Sequence, residues 1–206
     1  NADQNVLLKN KENLDYLLNN NYQKVIYCSS SSVYGDSGRS LFSENDLITP
    51  YDQYSVMKID SEQKILNHGG IVARITNVIG CNMSINNVLS DIISQTPGMG
   101  PVLVKNTNPI RDFIAIADVV DALLMMTAKG GSGVYNIGTG IGVSIKDLAE
   151  AVLKVHGEIA RPIESIKESK LDSFNVVNIE KVRKFYNWAP KIKLEESIKE
   201  LSLIHI

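Results

Sequence analysis

The sequence predicts an α/β fold with a largely parallel sheet. Short apolar runs alternate with helical patterns along the 206 residues, and segments with glycine or proline separate the two. Apolar residues make up 44% of the chain, which is enough to bury a core, and the length suits one domain or one and a half. We therefore expect strands joined by helical crossovers.

The first eighty residues show two helix–strand pairs. Leu14, Leu17 and Leu18 stand at helical spacing before the polar run NNN, and the segment HGG ends a second helical pattern that follows Pro50. The expected elements are a helix over residues 5–20, a strand over 24–28, a helix over 51–66 and a strand over 71–75.

The rest of the chain repeats this alternation. Val119, Val120, Leu123 and Leu124 predict the core-facing stripe of one helix, and Ser144 is placed to cap the next. The expected elements are helices over residues 88–94, 117–127, 145–156, 180–186 and 194–201, and strands over 101–104, 112–116, 134–137 and 161–166. The part after the GGSG turn is expected to form a smaller, later lobe.

Charge and cysteine content exclude several classes of protein. The net charge is −2 with no basic block, so the electrostatic footprint of a nucleic-acid binder is missing. Cys28 and Cys81 belong to no cluster with metal-ligand spacing, and we predict that both are buried, reduced thiols and that no metal is bound. No apolar run reaches the ~18 residues of a transmembrane helix, so a cytoplasmic protein without membrane contact is expected.

Two segments point to chemistry: VIYCSSSSVYG at residues 25–35 and PYDQYSVMK at residues 50–58. On a helix, Tyr54 and Lys58 share a face one turn apart, so the ammonium lies near the phenol. An ordinary tyrosine, with a pKa of about 10, needs a shift of ~3 units, or ~4 kcal/mol, to act as a base at neutral pH. One cation about 4 Å away at an effective dielectric of ~20 supplies roughly that energy.

The serine run supplies a third part. A strand that ends in serines presents hydroxyls at the carboxyl edge of a parallel sheet, where ligands bind in open α/β folds. Ser30 is then placed to hydrogen-bond the oxygen whose proton Tyr54 removes. Serines often form turns and a Tyr–Lys pair is ordinary on an amphipathic helix, but the combination favours a catalytic site.

Six motifs follow one another along the chain, and the match that they make specific covers nearly all of residues 24–198: SSSSVYG, PYDQYSVMK, ARITNVIG, IRDFIAIADVVDAL, GVYNIGTG and NWAP. They resemble the extended short-chain dehydrogenases/reductases, most closely the NAD-dependent sugar-nucleotide epimerases/dehydratases of the UDP-glucose 4-epimerase type. The resemblance implies a partial Rossmann-type, doubly wound parallel sheet with a smaller C-terminal α/β substrate lobe. It also implies NAD as cofactor, with NADP not excluded, a nucleotide-sugar substrate, and a homodimer paired through residues 52–66.

The same resemblance implies the reacting groups. Ser30, Tyr54 and Lys58 match the catalytic triad, with Tyr54 as general base and acid. Lys58 also matches the residue that hydrogen-bonds the nicotinamide ribose, and Ser29 and Tyr54 are assigned with it to the cofactor site.

Substrate contacts are implied residue by residue. Asn77, Asn87 and Val88 match contacts to the nucleotide, and Arg111 matches the arginine that pairs with the diphosphate. Asp172 lies where the family often has an acidic residue near the ribose, but a serine replaces the arginine expected just before it, which leaves the identity of the substrate open.

Two of these assignments have structural alternatives. Asn77 is also suited to shaping a turn, and Arg111 to pairing with Asp112 or Asp118 on a loop.

The glycine-rich segments GGSG and GTGIG come after the catalytic motifs, too late to hold a pyrophosphate at the start of a first βα unit, and we interpret them as turns. We expect residues 1–80 to be the C-terminal part of a dinucleotide-binding domain whose first βαβ units are missing, with residues 111–140 partly returning to it. Residues 81–200 are expected to be mainly the substrate lobe, and the terminal LSLIHI, residues 201–206, a non-native tail. Such a fragment would expose an apolar sheet edge and be inactive and poorly soluble by itself.

Three reactions share this triad. A 4-epimerase is favoured, and a keto-sugar reductase is second. A 4,6-dehydratase typically carries an Asp-Glu pair after the catalytic hydroxyl residue, where this chain has Ser31 and Ser32, so dehydration is disfavoured. The alternative from another class is a non-catalytic dinucleotide-binding protein, although such proteins usually lose the tyrosine or the lysine.

Overall fold

The computed structural model describes residues 2–20, 22, 24–37, 40–167 and 173–204. The helices are α1 (Ala2–Asn19), α2 (Gln53–Asn67), α3 (Val88–Ile93), α4 (Ile116–Lys129), α5 (Ile145–Val155), α6 (Glu180–Tyr186) and α7 (Leu194–Ile204). The strands are β1 (Ile26–Ser30), β2 (Ile71–Ile75), β3 (Asn77–Ile79), β4 (Val102–Val104), β5 (Ile110–Arg111), β6 (Phe113–Ala115), β7 (Gly133–Ile137), β8 (Val143–Ser144), β9 (Ile163–Ser165) and β10 (Phe174–Asn175).

The main sheet has the order β1-β2-β7, with all strands parallel. Because side chains alternate along a strand, β2 presents two different faces to the helices around it. Val72 packs toward α1 and α2 with Leu14 and Ile65, while Ile71 and Ala73 pack on the other face with side chains of α4 and α6. Helices therefore cover both faces of the sheet, which confirms the predicted α/β class.

The later part of the chain forms a second core, built from α3, α5 and α7 with strand β4. Its buried side chains include Ile92, Val102, Leu148, Val152 and Ile198. Smaller sheets surround it: β4 pairs with β9, β3 with β6, and β5 lies between β10 and β8. The short strands β3, β5, β8 and β10 were not predicted, whereas the three-residue strands β4, β6 and β9 lie within the predicted strands 101–104, 112–116 and 161–166.

The predicted stripe on α4 is partly wrong. Val119 is 3% exposed, but Val120 and Leu124 are 45% and 62% exposed. The buried stripe runs instead through Val119, Ala122 and Met126 toward the sheet.

The capping prediction at Ser144 is confirmed, because its side chain accepts a hydrogen bond from the backbone N–H of Asp147.

The prediction that both cysteines are buried is also wrong: Cys28 and Cys81 are free and exposed. Cys28 belongs to β1, an edge strand whose neighbour in the described part of the chain is β2 alone. Cys81 lies in the turn after β3, next to Asn82, whose φ is 60°. An apolar run in sequence therefore does not guarantee burial when its strand lies at a sheet edge.

The C-terminal helix continues into the segment expected to be a tail. Leu201 is 1% exposed and belongs to the second core, and the Ser202 hydroxyl lies 3.0 Å from Nε2 of His156. Residues 205 and 206 lie outside the described part of the chain.

Among the described helices, none is both long and apolar enough to cross a bilayer.

Candidate active site

The serine run occupies the carboxyl end of β1 and a 3₁₀ turn, Ser31–Tyr34. Ser30 caps this turn, and its hydroxyl oxygen accepts from the backbone N–H of Ser32 at 3.1 Å. Ser29 points to the opposite face of β1, where it is 5% exposed and donates to Oε1 of Glu62 at 2.5 Å. Alternation along the strand thus separates the two side chains, and Ser29 does not join the other predicted site residues.

Helix α2 carries the tyrosine and the lysine. Asp52 caps the helix by accepting from the backbone N–H of Ser55 at 2.7 Å. The Lys58 ammonium lies 5.5 Å from the ring centroid of Tyr54 and 4.8 Å from that of Tyr27. The Tyr54 side chain remains 46% exposed, so the predicted pair shares an accessible face of α2.

Two contacts join α2 to the serine segment. The Ser55 hydroxyl donates to the Ser32 hydroxyl at 3.1 Å, and Lys58 Nζ donates to the backbone carbonyl of Cys28 at 2.7 Å. Both contacts fall within two residues of Ser30 in the chain. The helix that carries Tyr54 is therefore docked against the strand end that carries Ser30.

Ser30, Asn77 and Arg111 line one small pocket of about 90 Å³. Asn77 reaches this pocket because the chain leaves the main sheet at Thr76, after which the Asn77 amide donates to the backbone carbonyl of Asp112 at 2.9 Å. Tyr54 and Lys58 are not part of this lining, whereas Tyr51 is. Sequence reasoning missed Tyr51, although its position directly after Pro50 and near the Tyr–Lys pair was the available signal.

Arg111 is held by Asp36 and Ser173. Its guanidinium donates to the Ser173 hydroxyl at 2.6 Å and lies 3.6 Å from the Asp36 carboxylate, to which Ser173 also donates. Burial lowers the pKa of Arg111, and the nearby Asp36 opposes that shift. The alternative pairings fail, because Asp112 accepts from Thr139 and Gly140, and Asp118 accepts from the backbone after α6.

A larger pocket of about 570 Å³ adjoins Arg111. It is lined by four of the residues predicted to contact substrate, namely Asn77, Asn87, Val88 and Arg111. Asn87 also caps α3, where its side chain accepts from the backbone N–H of Ser90 at 3.0 Å. The remaining predicted contact, Asp172, lies outside the described residues.

Among the predicted cofactor contacts, Lys58 has hydrogen-bond donors left for a dinucleotide. Lys58 uses one of its three donors on the Cys28 carbonyl and has two left for a ribose hydroxyl beside Tyr54. In the GTGIG loop, the N–H groups of Thr139 and Gly140 donate to the Asp112 carboxylate, and that of Ile141 donates to the Thr139 hydroxyl. This agrees with the interpretation of GTGIG as a turn. The described residues contain no group of three or more His, Cys, Asp or Glu side chains arranged to hold a metal.

Comparison with known proteins identifies the family. The model of the NAD dependent epimerase/dehydratase family matches residues 4–138. The chain is 28% identical over 195 residues to dTDP-D-glucose 4,6-dehydratase of Mus musculus, covering 86% of this chain and 54% of that protein. It is 26% identical over 198 residues to dTDP-4-dehydro-6-deoxyglucose reductase of Escherichia coli, covering 90% of this chain and 62% of that protein.

Solved structures share the fold. The UDP-glucose 4-epimerase of Thermotoga maritima superposes with a TM-score of 0.81 at 21% identity, covering 93% of this chain and 66% of that one. The UDP-glucuronic acid 4-epimerase of Bacillus cereus gives 0.81 at 22% identity, covering 92% and 63%. This chain thus spans a little over half the length of the curated relatives above. On the family match and the Rossmann-type fold, the chain belongs to the NAD-dependent epimerase/dehydratase family.

Proposed function

We propose that the protein is an NAD-dependent sugar-nucleotide epimerase that oxidises and re-reduces a sugar hydroxyl through a keto intermediate. The observation that carries the proposal is the docking of α2, with Tyr54 and Lys58, against the strand end whose Ser30 shares a pocket with Asn77 and Arg111. These contacts support a site at one end of the main sheet that combines a proton-transfer group with residues suited to a nucleotide diphosphate. NADP remains an alternative to NAD.

Each residue has a chemical role in this proposal. The Tyr54 phenol takes the proton of the sugar hydroxyl and later returns it, while Ser30 hydrogen-bonds the same oxygen. Lys58 places a cation beside the phenol, and two of its three N–H donors remain for the nicotinamide ribose. Arg111 binds the diphosphate, for which its planar guanidinium is suited. The bound nicotinamide supplies the hydride acceptor.

The serines that follow Ser30 support epimerisation over dehydration. Ser31 is 5% exposed, and its backbone carbonyl accepts from Asn175 at 2.9 Å. Ser32 bonds to Ser55 and so links the turn to α2. Both residues hold the segment in place and offer no acid–base pair for the elimination of water.

The experiment compares Tyr54→Phe with the wild type in the full-length protein. With NAD and UDP-glucose as substrate, conversion to UDP-galactose is followed by NMR, and we expect the variant to lose about 10²–10⁴-fold in rate because the proton acceptor is gone. Tyr22→Phe is the matched control, since Tyr22 is 58% exposed and lies outside the helices α1 and α2. Equal rates in Tyr54→Phe and the control would refute the catalytic role.

A keto-sugar reductase is the second candidate, favoured by the similarity to the reductase of Escherichia coli. It is tested by oxidation of NADH or NADPH with dTDP-4-dehydro-6-deoxyglucose. Rapid oxidation without any epimerisation would replace the first proposal with this one.

The proposal extends to assembly and location. The helices α1 and α2 lie side by side and border an open groove of about 1040 Å³, and Tyr16, Leu17 and Val56 are exposed on these two helices. We propose a cytoplasmic homodimer that pairs through them. Light scattering of Val56→Lys should show monomers if the pairing uses this surface.

A further inference from the structure

The small pocket beside Ser30 carries one carboxylate. Among the described residues that line this pocket, the charged side chains are Asp36 and Arg111, and the other polar side chains are hydroxyls and amides. Arg111 also lines the larger pocket next to it, whereas Asp36 does not. Arg111 therefore lies where the two pockets meet, and Asp36 lies on the side of Ser30, where the proposed function puts the sugar.

Asp36 is held in place by its backbone and by its side chain. Its backbone carbonyl accepts from the N–H of Phe174 at 2.6 Å, and its carboxylate accepts from the Ser173 hydroxyl at 2.9 Å. The residue before it, Gly35, has a φ of 79°, a backbone conformation that glycine adopts without strain. These contacts fix the carboxylate in the wall of the pocket.

Arg111 does not offset a second anionic group in this pocket. Its guanidinium donates to the Ile110 carbonyl at 2.9 Å and to the Ser173 hydroxyl at 2.6 Å, and it lies 3.6 Å from the Asp36 carboxylate. In the proposed function it also faces a diphosphate, whose negative charge exceeds that of one guanidinium. A carboxylate on the sugar would then approach Asp36 with no further cation among the described lining residues.

We propose that Asp36 is a specificity-determining residue that restricts the protein to nucleotide sugars whose sugar carries no carboxylate. The proposal rests on the proposed function, since it names the charge class of the substrate for the same pocket. A neutral hexose presents hydroxyl groups, which donate hydrogen bonds to a carboxylate. A uronic acid presents a like charge, and the repulsion grows as the bound ligand displaces water from the pocket.

Calorimetric titration with UDP-glucose and with UDP-glucuronic acid tests this proposal. The two ligands differ at one carbon of the sugar, where the acid has a carboxylate. The titration uses the full-length protein with NAD, in a Tyr54→Phe background that prevents turnover. UDP-glucose should bind ~10-fold more tightly, the ratio for two charges roughly 6 Å apart at an effective dielectric of ~40. Added salt should narrow this ratio, because ions screen the repulsion.

Two variants separate the charge of Asp36 from its shape. Asp36→Asn removes the charge but keeps an oxygen that accepts from Ser173, so it should remove most of the ratio by strengthening the binding of UDP-glucuronic acid. Asp36→Glu keeps the charge and should keep the preference for UDP-glucose. The matched control is Asp121→Asn on α4, because that side chain is 51% exposed and lines neither pocket. It should leave the ratio unchanged.

The outcomes distinguish this proposal from the proposed function. If UDP-glucuronic acid binds as tightly as UDP-glucose, or if Asp36→Asn keeps the ratio, Asp36 does not select the sugar and this proposal fails alone. Loss of both ligands in Asp36→Asn also overturns it, because Asp36 would then maintain the pocket rather than select its ligand. If the protein with Asp36 intact binds neither nucleotide sugar, both this proposal and the proposed function fail.

Discussion

The main sheet and the second core bury different kinds of side chain. Among the described residues, the buried charged side chains are Glu62, Arg74, Asp112 and Asp118, and none of them belongs to the second core. On the helices of the second core, the buried polar residues are Ser197 and Ser202, whose hydroxyls donate to their own helix backbone.

The ion pair beneath the active site shows what the charged residues do. Arg74 donates to Glu62 at 2.7 Å and to the Tyr34 hydroxyl at 3.0 Å, and Glu62 accepts from Ser29. These contacts join β2, α2, β1 and the 3₁₀ turn in one network. The sheet region thus uses polar contacts to fix the segments around Ser30, whereas the second core is stabilised by apolar burial.

The largest expected effect comes from breaking the ion pair. Glu62→Ala should lower the free energy of unfolding by about 3–5 kcal/mol, because it leaves the Arg74 charge buried without a partner. Urea unfolding measures this. Glu195→Ala, which breaks the exposed pair with Lys154, is the control and should cost less than about 1 kcal/mol.

A double variant sharpens the same test. Glu62→Leu with Arg74→Met should recover most of the lost stability, because apolar residues of similar volume often replace a buried pair without cost. If Glu62→Ala lowers the free energy of unfolding no more than Glu195→Ala does, the proposed difference between the main sheet and the second core is wrong.

In the second core, we expect a loss of stability from a cavity rather than from an unpaired buried charge. Leu148 is fully buried on α5, and Leu148→Ala should lower the free energy of unfolding by about 2–5 kcal/mol. The control is Ile141→Ala, at a side chain 66% exposed, which should change stability by less than about 0.5 kcal/mol. Similar losses in the two variants would contradict the assignment of this core.

Asp112 gives a smaller, pH-dependent effect. Burial raises its pKa, although hydrogen bonds from Thr139 and Gly140 oppose the shift. A raised pKa means that the folded state holds the proton more tightly than the unfolded state, so stability falls as pH rises from about 4 through the folded pKa. This loss has a limit of ~1.4 kcal/mol per pH unit.

Asp112→Asn should remove this pH-dependent loss, while lowering stability at every pH because an amide cannot accept all of the same donors. Denaturant unfolding at several pH values between 4 and 7 gives both quantities. If the free energy of unfolding changed with pH in the same way in both proteins, folding would not raise the pKa of Asp112.

The smallest effect concerns the open edge of β1. Although Cys28 is exposed as a residue, neighbouring groups partly desolvate its thiol and raise its pKa, and the Lys58 charge opposes that shift. In a Cys81→Ser background, Cys28 should react with a disulfide reagent at pH 8 more slowly than free cysteine, because less thiolate is present. Lys58→Met should slow it a few-fold further, and a faster reaction would contradict the shift.

Sequence periodicity determined much of the fold. The alternation of apolar runs and helical patterns predicted the helices and the longer strands, because each depends on local spacing that a window of residues contains. The spacing of Tyr54 and Lys58 likewise predicted their shared face, since one helical turn sets it. The serine run predicted a strand end with hydroxyl groups.

Only the tertiary structure decided which of these side chains are exposed and what they contact. The exposure of Cys28 follows from the edge position of β1, and the burial of Ser29 follows from the Glu62–Arg74 pair across the sheet. The meeting of Ser30, Asn77 and Arg111 also joins residues far apart in the chain. Such contacts depend on strand order and long-range packing, which local spacing does not encode.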